Sequence, residues 1–253
     1  MRGSCTALRT RALLRPPRCR AAPRASAAAE PPAGAGAPRW LAPRSTRDDG
    51  FRVVSESVSY KRYLTVFDRT VEFPPPPDAA PGAPRPRFAF DVVGHPRAQC
   101  HFVAVLPFHS GAEPAVTLVR EFAQGPGTLV WSLPAGGVDP ARHASLEATA
   151  AAELSEECQL AGGELVRLTP PDHPGLLETK WCCNRYTPFL CIDPVADPAP
   201  GARDAEEAVM TVHRVPLSRL EDLLFGEDVL PPTVMTVQLA LRELRKRGLL
   251  PHS

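Results

Sequence analysis

Residues 133–160 read LPAGGVDPARHASLEATAAAELSEECQL, an apolar strand end, a glycine turn and then a helix carrying Glu153, Glu156 and Glu157. Residues three and four apart are neighbours on a helix, so the three carboxylates share one face. Carboxylates gathered in this way repel one another and destabilise the chain unless solvent screens them or a cation neutralises them. A hard divalent metal answers that need with oxygen ligands. Taken alone, the glutamates also fit a solvated helix face. The LPAGG turn ahead of them bends the backbone sharply, which lets main-chain carbonyls and helix carboxylates converge on one ion.

Working outward, residues 102–108 (FVAVLPF), 115–122 (AVTLVREF) and 129–137 (LVWSLPAGG) are short apolar runs joined by turn residues, and they predict a compact central sheet. Ser145 is placed to cap a helix over 145–158. Further strands are expected over 164–169, 186–192 and 209–215, and amphipathic helices over 217–224 and 234–245, the last closing on Lys246, Arg247 and Gly248. Upstream, residues 51–73 alternate apolar and polar positions over two runs and residues 88–93 form a third, the pattern of half-buried antiparallel strands. Between them FPPPPDAAPGAPRPRF reads as an exposed proline-rich loop over 74–87, either an insertion or a ligand for a proline-recognition domain. Strands, one helix, more strands and two helices make a mixed α/β domain.

The 253 residues, 43% of them hydrophobic, suffice for one sizeable core or two small ones, and 31 prolines place part of the length outside it. Residues 1–29 hold seven arginines and no aspartate or glutamate. Such a start, closing on small residues, predicts an organelle transit peptide, plastid ahead of mitochondrion; a basic anion-binding tail is the other reading. Removing those arginines leaves 22 basic residues against 28 acidic ones, so the body is mildly acidic and disfavours nucleic acid as a partner. No apolar run reaches the length of a membrane span, and no membrane role is expected. The domain plan is a leader over 1–46, an N-terminal β region over 47–98 and a main domain over 99–253.

Seven cysteines form an odd set without zinc spacing, and Cys5 and Cys19 fall in the leader. Adjacent Cys182 and Cys183 point to opposite faces if they lie in a strand. The set reads as reduced thiols, mostly core, with a redox-regulated disulfide as the alternative.

The 133–160 stretch resembles the Nudix hydrolase family, whose signature is a glycine, five residues, a glutamate, seven residues, then Arg-Glu-apolar-x-Glu-Glu-x-Gly-apolar. Gly136 fits the leading glycine, and Glu153, Leu154, Glu156, Glu157 and Leu160 fit the core. The first glutamate falls at Arg142 counted from the glycine and at Ala144 counted from the helix, so the loop holds two extra residues. Ala152 stands where the family has its arginine and Gln159 where it has its last glycine. The LVREF strand, the LPAGG turn, Pro174 and Gly175 beyond the box and the closing segment 206–224 are similar to the ADP-ribose and ADP-sugar pyrophosphatase branch, over roughly residues 50–250.

The resemblance implies a Nudix fold: an α/β/α sandwich with a mixed central sheet and an additional N-terminal antiparallel region. It implies metal-dependent hydrolysis of a nucleoside diphosphate linked to another moiety, ADP-ribose or an ADP-sugar, giving AMP and a sugar phosphate. Mg²⁺ or Mn²⁺ would be held by Glu153 and Glu157, with Glu156 sharing an ion and the carbonyl of Ala135 completing the shell. Glu206 or Glu207 would join Glu157 in catalysis as the base. Substrate would meet Arg120 as a phosphate clamp, Glu121 as a base or ribose acceptor, and Pro174 and Arg185, with Asn184 in reach. Trp181 and Tyr186 fit either a stacked base or core, and His173 and His213 read as ordinary loop and strand residues. A homodimer through residues 51–93 is implied as well. The second function the departures allow is a Nudix-fold protein that binds a nucleotide or nucleotide sugar without turning it over.

Overall fold

A computed structural model describes residues 50–251. The expected leader lies outside the described residues. The chain begins with β1 (Arg52–Lys61), β2 (Thr65–Glu72) and β3 (Arg87–Gly94), a three-stranded antiparallel sheet in that order. It continues through β4 (His101–His109), β5 (Ala115–Ala123), β6 (Thr128–Ser132), β7 (Ala135–Gly137) and α1 (Leu146–Cys158). The remaining elements are β8 (Leu160–Ala161), β9 (Glu164–Arg167), β10 (Leu176–Leu177), β11 (Arg185–Ile192), β12 (Val195–Ala196), β13 (Thr211–Pro216), α2 (Leu217–Gly226) and α3 (Pro231–Lys246).

The main sheet runs β10-β11-β4-β5-β13, with β6 added to β5, β7 to β4 and β9 to β11. Only the β4–β11 pair is parallel among these, so the sheet is mixed. Strands buried on both faces read as nearly continuous apolar runs, as β4 and β11 do. Alternation sends Leu106, Phe108 and Leu118 to one face, packed with Leu220 and Val237 of α2 and α3. Val103, Val105 and Val119 go to the other and pack with Ala150 and Leu154 of α1. That is the expected α/β/α sandwich with its extra N-terminal sheet.

Two details differ from the sequence reading. Residues 129–137 are not one strand: β6 ends at Ser132 and β7 begins at Ala135, because Pro134 has no N–H to continue a ladder. The cysteines among the described residues are less buried than expected, since only Cys158 and Cys191 of these are core and Cys100, Cys182 and Cys183 are half-buried. The proline-rich segment is a long connection between β2 and β3, closed at its base by the Phe73 N–H donating to the Pro86 carbonyl at 2.8 Å. Among the described residues no helix is long and apolar enough to cross a membrane.

Candidate active site

Helix α1 starts where Ser145 predicts: its Oγ accepts the Ala148 N–H at 3.1 Å. The helix ends at Gln159, which adopts the left-handed conformation with φ 57°. Glycine takes that conformation without steric cost, so the structure explains what the family glycine does at this position.

Gly136 in β7 lies directly against the helix. A Cβ there would come within 1.9 Å of Glu153 Oε1, so the absent side chain is what makes room for the carboxylate. One residue earlier, the Ala135 N–H donates to Glu157 Oε2 at 3.0 Å. Glu157 is 4% exposed, an uncommon position for a carboxylate. Burial, then the Glu153 charge, push its pKa up to about 9. Burial and the Glu156 charge raise Glu153 to about 7. Glu207 adds repulsion to both, and Glu121 adds more to Glu157. Glu153 and Glu157 thus stand in one acidic centre, within the fields of Glu207 and Glu121.

Glu156, whose charge acts most strongly on Glu153, accepts from Arg142 Nη2 at 2.8 Å. Among the described residues no three His, Cys, Asp or Glu side chains stand together as a metal-ligating group. What the fold assembles is the Glu153–Glu157 pair, and two carboxylates that retain protons far above their ordinary range fit a hard divalent cation chemically. Glu156 would complete a three-carboxylate set on leaving Arg142.

The segment after β12 folds back over α1. Ser155 Oγ donates to Asp197 Oδ2 at 2.6 Å and accepts the Gly201 N–H at 3.0 Å. Arg203 Nη2 donates to the Glu157 carbonyl and Nη1 to the Met210 carbonyl. These bonds bring the short 3-10 turn Ala205–Glu207 beside the acidic centre. The side chain of Glu206 lies outside the described residues. Glu207 Oε2 accepts the Asp204 N–H at 3.0 Å.

The expected substrate residues do not all gather here. Glu121 shares the α1 face of β5 with Val119, whereas Arg120 points to the opposite face, its guanidinium carbon 5.5 Å from the centre of the Trp131 ring. Arg185 Nη1 donates to the Gly175 carbonyl at 3.0 Å, so it supports the Pro174–Gly175 turn. Asn184 accepts the His95 N–H and donates to Glu178. Tyr186 is core, and Trp181 is exposed beneath the Lys180 ammonium. His173 Nδ1 accepts the Gly175 N–H, and His213 meets Trp131 edge to face. Sequence reasoning did not find Arg203. Its role depends on the path of a loop that carries no periodic signal.

A family profile for the NUDIX domain matches residues 101–230, half of the chain. The chain belongs to the Nudix family and is a Nudix hydrolase. The crystal structure of an ADP compounds hydrolase is similar in fold, with a TM-score of 0.55 and 19% identity over 79% of this chain and 97% of that one. No curated protein matches the chain significantly.

Proposed function

We propose that the chain hydrolyses the pyrophosphate bond of ADP-ribose or an ADP-sugar, giving AMP and a sugar phosphate, with Mg²⁺ or Mn²⁺. The observation that carries this reading is the Glu153–Glu157 pair, Glu157 buried and bonded to the Ala135 N–H and Glu153 half-buried against Gly136, both with pKa raised. A fold shared with an ADP compounds hydrolase supports the choice of an adenosine diphosphate compound.

Glu153 and Glu157 would hold the ion, joined by Glu156 and the Ala135 carbonyl. When bound, it supplies charge neutralisation on the bridging phosphates and acidifies water. Glu207, with Glu206 as the neighbouring alternative, takes the proton from the attacking water. Glu121 accepts from the substrate on the same face. Pro174 and Arg185 act through the Gly175 turn in this reading, and Arg120, stacked on Trp131 on the opposite face of β5, is left out of the substrate set.

Exposed Val53, Val58 and Tyr60 on β1 support a homodimer through the N-terminal sheet, which light scattering measures directly. The arginine-rich leader supports delivery to a plastid.

The test offers the full chain ADP-ribose, ADP-glucose, NADH and coenzyme A with Mg²⁺ or Mn²⁺ and measures AMP by chromatography. AMP from ADP-ribose or ADP-glucose is the expected result. Binding without product from any of the four overturns the reading in favour of a nucleotide binder.

A further inference from the structure

The three half-buried cysteines play no part in the acidic centre, yet two of them meet. The sulfurs of Cys100 and Cys183 lie 3.5 Å apart and share a hydrogen bond. They stand just ahead of the starts of β4 and β11, the two parallel central strands, where the Arg185 N–H donates to the Cys100 carbonyl at 2.9 Å. Gly94 at the end of β3 closes over them, and a Cβ there would come within 2.3 Å of Cys183 Sγ. The backbone presents Cys100 from two successive left-handed residues, Gln99 at φ 54° and Cys100 at φ 53°. Residues other than glycine adopt that conformation at a cost, and it persists only where the surroundings hold it.

We infer that Cys100 and Cys183 form a site of reversible covalent modification, a dithiol that low-molecular-weight disulfides convert to an intramolecular disulfide. Both residues are half-buried, outside the core. The hydrogen bond with Cys100, helped by the charge of Arg69, holds the Cys183 thiol down to about 7, so near neutral pH it supplies the thiolate that attacks. The same bond and burial push Cys100 well above the thiol range, so its proton is retained until the second step. Cys182 points away: its sulfur contacts Glu178 at 3.3 Å, and burial raises it to about 12.

The chemistry balances with oxidised glutathione as the oxidant. The Cys183 thiolate attacks one glutathione sulfur, forms a mixed disulfide and expels a glutathione thiolate. Cys100 loses its proton to that thiolate and attacks the Cys183 sulfur, and the second glutathione leaves as a thiolate. Two electrons pass from the protein dithiol to glutathione disulfide. The sulfurs must close from 3.5 Å to roughly 2.0 Å.

The full chain is incubated with oxidised glutathione, alkylated and digested with trypsin without reduction. The expected product links the peptide that follows Arg97, containing Cys100, to Trp181–Arg185, and dithiothreitol removes it. Trp181–Arg185 contains both Cys182 and Cys183, so C182S is expected to keep the link and C183S to lose it. Free alkylation of Cys100 and Cys183 after treatment overturns the site. A stable glutathione adduct on Cys183, or a link made by Cys182 in place of Cys183, overturns it equally. None of these readouts depends on the hydrolase activity.

Discussion

The guanidinium of Arg203 donates from Nη2 to the main-chain carbonyl of Glu157 at 2.6 Å. Helix α1 has no basic residue in its last turn, so this cation arrives from a different part of the chain to meet the negative end of the helix. Through Nη1 it also holds the Met210 carbonyl at 3.0 Å, which ties the segment bearing Glu207 to the helix bearing Glu153 and Glu157. Arg142 acts on the same helix through the Glu156 carboxylate. The family arginine is missing at Ala152, and these two residues are the cations that hold the glutamate helix here.

Arg203→Ala is expected to lower kcat roughly 10- to 100-fold, because displacing a proton acceptor by about 1 Å is enough to do so. Mn²⁺ affinity, read by electron paramagnetic resonance, should stay near wild type. Arg203→Lys should recover only part of the rate, since one ammonium does not reproduce the two-pronged bond. An unchanged kcat in Arg203→Ala overturns the positioning role.

Glu157 links activity to stability with opposite signs. Its carboxyl moves from an ordinary 4.5 to about 9 in the folded chain, so between those values the folded chain holds a proton that the unfolded chain has released. Stability from this group therefore falls as pH rises through that window. Glu157→Gln keeps an acceptor for the Ala135 N–H and removes the charge. Its metal-free Tm should exceed that of wild type, by a margin that widens from about pH 5 to about pH 8. Turnover should be abolished, and Mn²⁺ should raise the Tm of wild type alone. A margin that shrinks with rising pH contradicts the shift.

Gly136→Ala tests the seat of Glu153. The added Cβ meets the end of a flexible side chain, so the fold should survive with little change in Tm, while Glu153 is pushed from its place. Mn²⁺ affinity should fall about tenfold or more, the scale of errors in ligand orientation. Calorimetry showing wild-type affinity would rule out Gly136 as the cradle.

Gln159→Gly should stabilise the protein by about 1 kcal/mol, because Gln159 sits at φ 57° and its side chain is exposed. Urea unfolding measures it. A loss of stability would mean that the Gln159 side chain contributes more than its backbone conformation costs.

Much of the fold was legible because burial imposes periods on a sequence. The apolar runs at β4, β5 and β11 and the Ser145 cap gave their elements to within a few residues. Arg120 and Glu121 show where legibility stopped. They are adjacent on a strand and so must face opposite ways, yet only the placement of α1 tells which of them meets the acidic centre. Glu156 was expected beside Glu153 and Glu157 from helical spacing, and only the folded chain shows that Arg142 comes to pair with it.

The amino-acid sequence by itself determined the sandwich, the glutamate helix and its glycine turn, since each follows from local periodicity and backbone freedom. Tertiary structure decided which carboxylates converge, that Arg203 and Arg142 support the helix, and that Cys100 meets Cys183 across 83 positions of chain. Those contacts join loops distant in sequence, and a loop's path is set by the hydrogen bonds it finds on the folded surface, for which no repeating pattern of residues stands in advance.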